Sequence, residues 1–174
     1  IMITGKTLNI DNPKLNCRLE GFNQFSPKRI ILDRNLQIDL KSYIAKSIKN
    51  KNTIIFHNSN DKSKIKLLKK RGTTLIKQST DKYKNLDLKK ILKDLYKMEI
   101  RNLLVEGGDI LTKNFIQKKL FNEFYLFRSS KNLSKNKKHV NFTSFSILNT
   151  KYNKHKINSK LATDKLTIYK NWNV

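Results

Sequence analysis

Glu106 stands at the end of the apolar run Leu103-Leu104-Val105 and ahead of Gly107-Gly108-Asp109, a setting in which a carboxylate can do chemistry. The run reads as a buried strand, the carboxylate as its carboxyl end, the glycines as a tight turn, and Ile110-Leu111-Thr112-Lys113-Asn114-Phe115 as the start of a helix. In an open α/β sheet ligands collect at the carboxyl ends of strands, and a helix beginning there aims free backbone N–H groups at an anion. A second stretch, Thr7 to Arg18, carries Thr7, Asp11 and Arg18 around an Asn12-Pro13 turn signal. Its hydroxyl and carboxylate suit a ribose or carboxamide, and its guanidinium can hold a phosphate through paired N–H donors. Taken singly, both stretches have plainer readings: a glycine turn that any strand-to-helix junction needs, and a surface loop. The three-glycine fingerprint G-x-G-x-x-G is missing, which disfavours an ordinary dinucleotide-binding Rossmann domain.

The remaining reactive side chains offer less. Cys17, the single cysteine, has no base paired with it and reads as a bystander; alone, it rules out an internal disulfide and a Cys-rich zinc site. His57, His139 and His155 lack metal-ligand spacing, so no metal is expected. His57 ends a strand and reads as either a cofactor contact or a solvated strand end. The Lys135 to Lys138 cluster reads as a solvated loop.

The elements that would position these groups alternate. Ile1 to Thr4 reads as the last part of a strand stopped by Gly5, Thr7 to Arg18 as irregular, and Arg29 to Asp33 as a short strand with an acidic end. Leu40, Ile44 and Ile48 suit a short helix within 38–48; Thr53 to Phe56 is a strand; Asp61 caps a helix ending at Arg71-Gly72; Thr73 to Ile76 is a strand. Leu88, Ile91, Leu92, Leu95 and Met98 draw a helical stripe from Asp87 into a strand at Asn102 to Val105. Leu111, Phe115 and Leu120 mark the next helix, and Glu123 to Phe127 a strand. Ser129 to Lys138 reads as a mobile loop, and Lys154 to Asn158 with Leu166 to Tyr169 as an antiparallel pair closing one sheet edge. Strand, helix, strand in succession predicts an α/β fold with a largely parallel sheet.

The chain has 174 residues, 37% of them hydrophobic, enough for one domain with a real core, 1–174. No apolar run approaches a membrane span and no charged-then-apolar leader opens the chain, so a cytoplasmic protein off the membrane is expected. A net charge of +25 would ordinarily point to nucleic acid. The excess is nearly all lysine, however, spread along the chain with abundant Asn and Ile, and this predicts compositional drift more than a dedicated nucleic-acid face. The field still attracts small anions. The chain opens inside what reads as a strand, which suggests a fragment.

The two stretches, in this order, resemble the C-terminal reductase domain of the bifunctional riboflavin-biosynthesis deaminase/reductase, whose fold is similar to dihydrofolate reductase. The family pattern is G-x-x-T-x-x-x-D-D-P-x-L-T-x-R, a strand R-x-V-L-D, and later L-V-E-G-G before a helix and V-D-E. Here the matching residues are Gly5 with Thr7, Asp11-Asn12-Pro13, Leu15-Asn16, Arg18, Arg29-Ile30-Ile31-Leu32-Asp33, Leu104-Val105-Glu106-Gly107-Gly108 and Phe121-Asn122-Glu123. The resemblance covers most of residues 1–128. It departs at Asn12, at Asn16 and at Phe127-Arg128-Ser129-Ser130, where the family has a proline turn and a glycine.

The resemblance implies a dihydrofolate-reductase-like α/β fold, a mixed, mostly parallel sheet flanked by helices, with the C-terminal antiparallel pair. It implies NADPH as cofactor, contacted by Thr7 and Asp11 and carried at the helix start by Gly107, Gly108, Asp109, Ile110, Leu111, Thr112, Lys113 and Asn114. Arg34, beside the cofactor in the family, could pair with the 2′-phosphate of NADPH or be a plain surface arginine. Leu15, Arg18 and Glu106 are implied as the substrate site, for a phosphoribosylaminopyrimidine, with no single catalytic acid assigned. Also implied are a homodimer, a zinc deaminase domain upstream, and a family first strand and helix that precede Ile1. Another pyrimidine or pterin reductase of the same fold, a basic nucleic-acid-binding module and an inactive structural remnant are the alternatives.

Overall fold

The computed structural model describes residues 1–48, 52–130, 144–157 and 164–171. Two compact units emerge, Ile1–Gly108 and Asp109–Val174.

In the first unit β1 (Met2–Thr4), β2 (Arg29–Leu32), β3 (Thr53–His57) and β4 (Thr74–Lys77) form a wholly parallel sheet in the order β1-β2-β3-β4. The register sets Ile3 beside Ile31, Ile31 beside Ile55 and Ile55 beside Leu75, one apolar row across the sheet. That row packs with Leu8, Leu36, Ile38, Ile44, Ala45 and Leu68 as a core on one face. β3 is buried at every position, as expected of an interior strand covered on both faces. The crossovers supply the helices: α1 (Gly5–Asp11), α2 (Tyr43–Lys46), α3 (Lys62–Lys70) and α4 (Leu88–Lys97). Asp61 and Asp87 cap α3 and α4 by accepting from backbone N–H groups of the first turn, at the boundaries their types predict.

Three local expectations are corrected. Residues 5–11 are helical, not irregular. The Thr4 hydroxyl accepts from Thr7 N and Asn12 ends the helix in the left-handed conformation, so two caps hold a seven-residue helix whose apolar pattern is too short to read. The helix within 38–48 shrinks to Tyr43–Lys46, because Asp39 first closes a turn on Lys41 N and Ser42 N and Ser42 then starts the helix. The strand at 102–105 reduces to a bridge between Val105 and Met2, held by Met2 N to Leu104 O (2.8 Å) and Glu106 N to Met2 O (2.9 Å). It is not buried: Leu104 is 56% exposed.

The second unit holds α5 (Asp109–Gln117), β5 (Glu123–Arg128), α6 (Phe145–Lys151), β6 (Asn153–Ile157) and β7 (Lys165–Lys170). The expected antiparallel pair of late strands forms, but as part of a separate three-stranded sheet, β5-β7-β6, rather than at the edge of the parallel one. Alternation on β5 turns Phe124 and Leu126 toward Ile116, Leu148 and Tyr169. Asn171 ties off this unit by donating to the carbonyls of Lys119 (3.2 Å) and Phe121 (3.0 Å). The α/β class with a parallel sheet and helices is borne out. Most of the expected loop at Ser129 to Lys138, the Lys135 to Lys138 cluster, His139 and Asn158 lie outside the described residues.

Candidate active site at the carboxyl edge of the parallel sheet

Because all four strands of the first unit are parallel, their carboxyl ends share one edge. Thr4, Asp33, His57 and Lys77 stand along it, and Glu106 joins them beside β1 through its N–H bond to Met2 O. Such an edge gathers the N-termini of crossover helices and the loops that a ligand can reach.

Thr7 sits in the first turn of α1, half-buried, with its hydroxyl 2.9 Å from that of Thr4. Asp11 is exposed at the last position of α1, and Arg18 is exposed beyond it. Between them Leu15 adopts φ 47° and packs against the apolar core of the sheet. Asn12, where the family has an acid, accepts from Tyr43 N at 2.7 Å, which joins the α1 end to α2. The edge therefore brings Thr7, Arg34 and Glu106 to neighbouring strand ends, while Asp11 ends α1 and Leu15 and Arg18 follow it in the chain.

Arg34 follows β2 and is exposed, but its guanidinium is in use: Nη1 donates to the carbonyl of Lys84 and Nε to Asn35 Oδ1 at 3.2 Å. Its backbone carbonyl accepts from Asn58 N, linking the loops after β2 and β3.

In the second unit, Asp109 to Asn114 do form the start of a helix, with Leu111 buried, Ile110 and Lys113 exposed, and Asn114 donating back to Ile110 O at 2.9 Å. Asp109 places a carboxylate in the first turn, where it takes up part of the positive end of the helix dipole. The preceding turn does not need both glycines for conformational reasons. Gly108 has an ordinary φ, and a Cβ built there meets nothing within 4 Å.

The glycine whose absence of a side chain does matter is Gly5. A Cβ there would lie 2.8 Å from Asp33 Cγ. Asp33 is buried and accepts from Gln37 N (2.9 Å) and Ile38 N (2.7 Å), so the carboxylate is fixed by the loop it folds and pressed against the start of α1. Sequence reasoning noted the acidic strand end without this role; the signal was a glycine directly after one strand and an aspartate directly after the next.

His57 is not a solvated strand end. It is 3% exposed and its Nδ1 has no hydrogen-bond partner. Burial pushes the imidazole below its ordinary 6.5, a backbone hydrogen bond to Ser59 and the charge of Asp33 oppose that, and Lys77 and Lys69 reinforce it. Among the described residues no group of His, Cys, Asp and Glu is arranged to hold a metal, and no helix is long and apolar enough to cross a membrane. Two concavities, one in each unit, lined by Leu40, Lys41, Ala45, Lys46, Ile48 and Arg71 and by Asn149, Tyr152, Asn153, Lys154 and His155, contain none of the predicted site residues.

The edge carries the Thr4 and Thr7 hydroxyls, the Arg34 and Lys77 cations, the buried Asp33 carboxylate and His57 imidazole, and Glu106 as an exposed carboxylate. This chemistry fits a phosphorylated, hydroxyl-rich ligand such as a nicotinamide dinucleotide.

The family model of the RibD C-terminal domain matches residues 1–160. The chain belongs to the RibD C-terminal domain family. Its relatives include the riboflavin biosynthesis protein RibD of Actinobacillus pleuropneumoniae, 30% identical over 131 residues, and that of Aquifex aeolicus, 28% identical over 131 residues. Each alignment takes in 75% of this chain and only 34% and 35% of the relative, so the chain spans about a third of the length of the curated relatives it matches. Solved folds similar to this RibD C-terminal domain include Acinetobacter baumannii RibD, with TM-score 0.72, 19% identity, and coverage of 97% of this chain and 46% of that one. A pyrimidine reductase-like protein from Corynebacterium diphtheriae gives TM-score 0.68 at 13% identity, covering 97% and 74%. The Thermotoga maritima diaminohydroxyphosphoribosylaminopyrimidine deaminase/5-amino-6-(5-phosphoribosylamino)uracil reductase gives 0.61 at 20%, covering 97% and 44%.

Proposed function

We propose that this RibD C-terminal domain is an oxidoreductase of riboflavin biosynthesis that reduces 5-amino-6-(5-phosphoribosylamino)uracil with NADPH to the ribitylamino form. The observation that carries this reading is the family match over residues 1–160, taken with Glu106 lying beside the strand that leads into the Thr7 helix. NADPH, when bound, supplies a hydride to C1′ of the opened ribosyl group. The protein's task is to hold two carbons within reacting distance and keep water away. In this reading Thr7, Asp11, Arg34 and Gly107 to Asn114 orient the cofactor. Leu15 and Arg18 hold the ribose and its phosphate, and the Glu106 carboxylate accepts hydrogen bonds from the pyrimidine edge. No side chain is assigned as an essential acid. The two units together form one reductase domain, working in the cytoplasm as a homodimer, with a zinc deaminase domain upstream in the complete protein.

Full-length protein supplied with NADPH and this pyrimidine is expected to show substrate-dependent loss of nicotinamide absorbance; no loss at any protein concentration sinks the reading. A second reading, reduction of a different pyrimidine, is favoured by the likeness to the pyrimidine reductase-like protein of Corynebacterium diphtheriae, of which the chain covers 74%. Turnover of another aminopyrimidine in preference to the ribosylated one would select it.

A further inference from the structure

The register of the antiparallel sheet sorts its side chains onto two faces. Phe124, Leu126 and Tyr169 turn to the core of the second unit, and alternation puts Arg128, Lys154, Lys156, Lys165 and Thr167 on that same side. The opposite face reads in three rows across the strands: Glu123, Lys170 and Asn153; Tyr125, Ile168 and His155; Phe127, Leu166 and Ile157. An antiparallel sheet with one face on a core ordinarily turns polar residues outward on the other. Here two of the three rows are largely apolar and stand in the open. Phe127 is 63%, Tyr125 48% and Ile157 41% exposed, with Leu166 half-buried and Ile168 buried in the middle strand.

The charge on this face is as unusual as its apolar rows. The chain carries 38 Lys and Arg against 13 Asp and Glu, yet of the Lys and Arg in these three strands only Lys170 lies here. Its ammonium is compensated by Glu123 at 3.4 Å. The same carboxylate accepts from Tyr125 Oη at 2.6 Å, which fixes the phenol at the border between the polar row and the apolar ones. Two chains of charge +25 repel each other. They can meet only over a face whose local charge cancels and whose apolar area is left to bury. A two-fold joint uses one patch twice, and these rows, bordered by a closed ion pair, can face their own copy without setting cation against cation.

We propose that this face, Tyr125, Phe127, Ile157, Leu166 and Ile168 with Glu123 and Lys170 at its margin, is where a second copy of the chain docks. This rests on the homodimer of the proposed function and deepens it by naming the surface. Leu19, Phe22 and Phe25 are exposed as well, but on a turn bracketed by Arg18 and Lys28, and they serve as the comparison patch.

The test is sedimentation velocity of the full-length protein from about 1 to 50 µM, with circular dichroism to show that each variant folds. Wild type is expected to be dimeric. Phe127→Lys is expected to raise the dimer dissociation constant roughly a hundredfold, because each copy then brings a charge into the joint. Should that variant fail to fold, Ile157→Lys carries the same test. Phe127→Leu should hold the dimer, and so should Phe25→Lys, which adds the same charge to the comparison patch. Salt raised from about 50 to 300 mM is expected to tighten the wild-type dimer severalfold, since it screens the repulsion between the two chains. The proposal is overturned if a folded Phe127→Lys stays dimeric, if Phe25→Lys dissociates as readily, or if salt loosens the dimer. Wild type that is monomeric throughout overturns it and the homodimer together, whereas a dimer unmoved by Phe127→Lys removes this face alone. Reduction of the pyrimidine is read by the separate absorbance assay and stands or falls there.

Discussion

Gly5 and Asp33 meet where the first two strands end, and the fit leaves no room for a methyl group. Gly5→Ala must displace a carboxylate that two backbone N–H groups hold in a buried position, an overpacking expected to cost about 1–3 kcal/mol. Urea unfolding at neutral pH measures it, and an Ala variant as stable as wild type would show that Asp33 can yield. His57 brings a pH dependence of definite sign. Its folded value lies below the ordinary 6.5, so the unfolded chain binds the proton more readily. The stability linked to this residue is whole above about pH 6.5 and is lost as pH falls toward and through the folded value. Thermal unfolding followed from pH 8 down to pH 5 should therefore fall more steeply for wild type than for His57→Gln; parallel curves would remove the histidine as the cause. Neither residue's part was readable from the chain alone. An aspartate after a strand and a histidine after the next look alike whether solvated or buried, and only the register that sets His57 beside Lys77 and the loop that wraps Asp33 decide.

At the scale of elements, α1 carries the largest local difference between chain and fold. The helices with long apolar stripes, α3 and α4, were legible with their Asp61 and Asp87 caps, and so were β2 and β3, whose apolar runs are interior. α1 was not legible, since seven residues with one buried side chain beyond Gly5 give no period, and its stability comes from caps and from what it packs on. The prediction that follows is local. Thr4→Val keeps the volume but removes the acceptor for Thr7 N and the partner of the Thr7 hydroxyl, and should cost about 1 kcal/mol. If Thr7 orients the cofactor, the same change should raise the KM for NADPH severalfold with kcat little altered, and a fall in kcat alone would argue against that role for Thr7. The strand at 102–105 was misjudged as buried because its apolar letters are those of an interior strand. Among the described residues it pairs through Val105 with Met2 alone, in a three-residue partner strand.

At the scale of the whole molecule, the charge of +25 is a property of the chain rather than of one site. It should speed the arrival of any polyphosphate ligand and be screened by salt. The apparent affinity for NADPH is therefore expected to fall as salt rises from about 50 to 200 mM, more for the wild type than for a variant with several lysines of α3 exchanged for glutamine. Equal salt slopes would confine the effect to the binding site. The class of fold was readable because strands and helices alternate up to Val105; the separation of β5, β6 and β7 into their own sheet was not, because strand signals do not say which partner a strand takes.

That sheet has a consequence in time. In the parallel sheet each strand joins the one made just before it, β1 to β2 to β3 to β4, so pairing can keep pace with synthesis. In the second unit β7 lies between β5 and β6, both of which leave the ribosome first and do not pair with each other. Until β7 arrives, β5 and β6 wait with open backbone edges and with the side chains of Phe124 and Leu126 lacking Tyr169 to close on. The second unit is thus assembled late and all at once, and a nascent chain stalled before Lys165 would carry a finished parallel sheet followed by strands that have nothing to join.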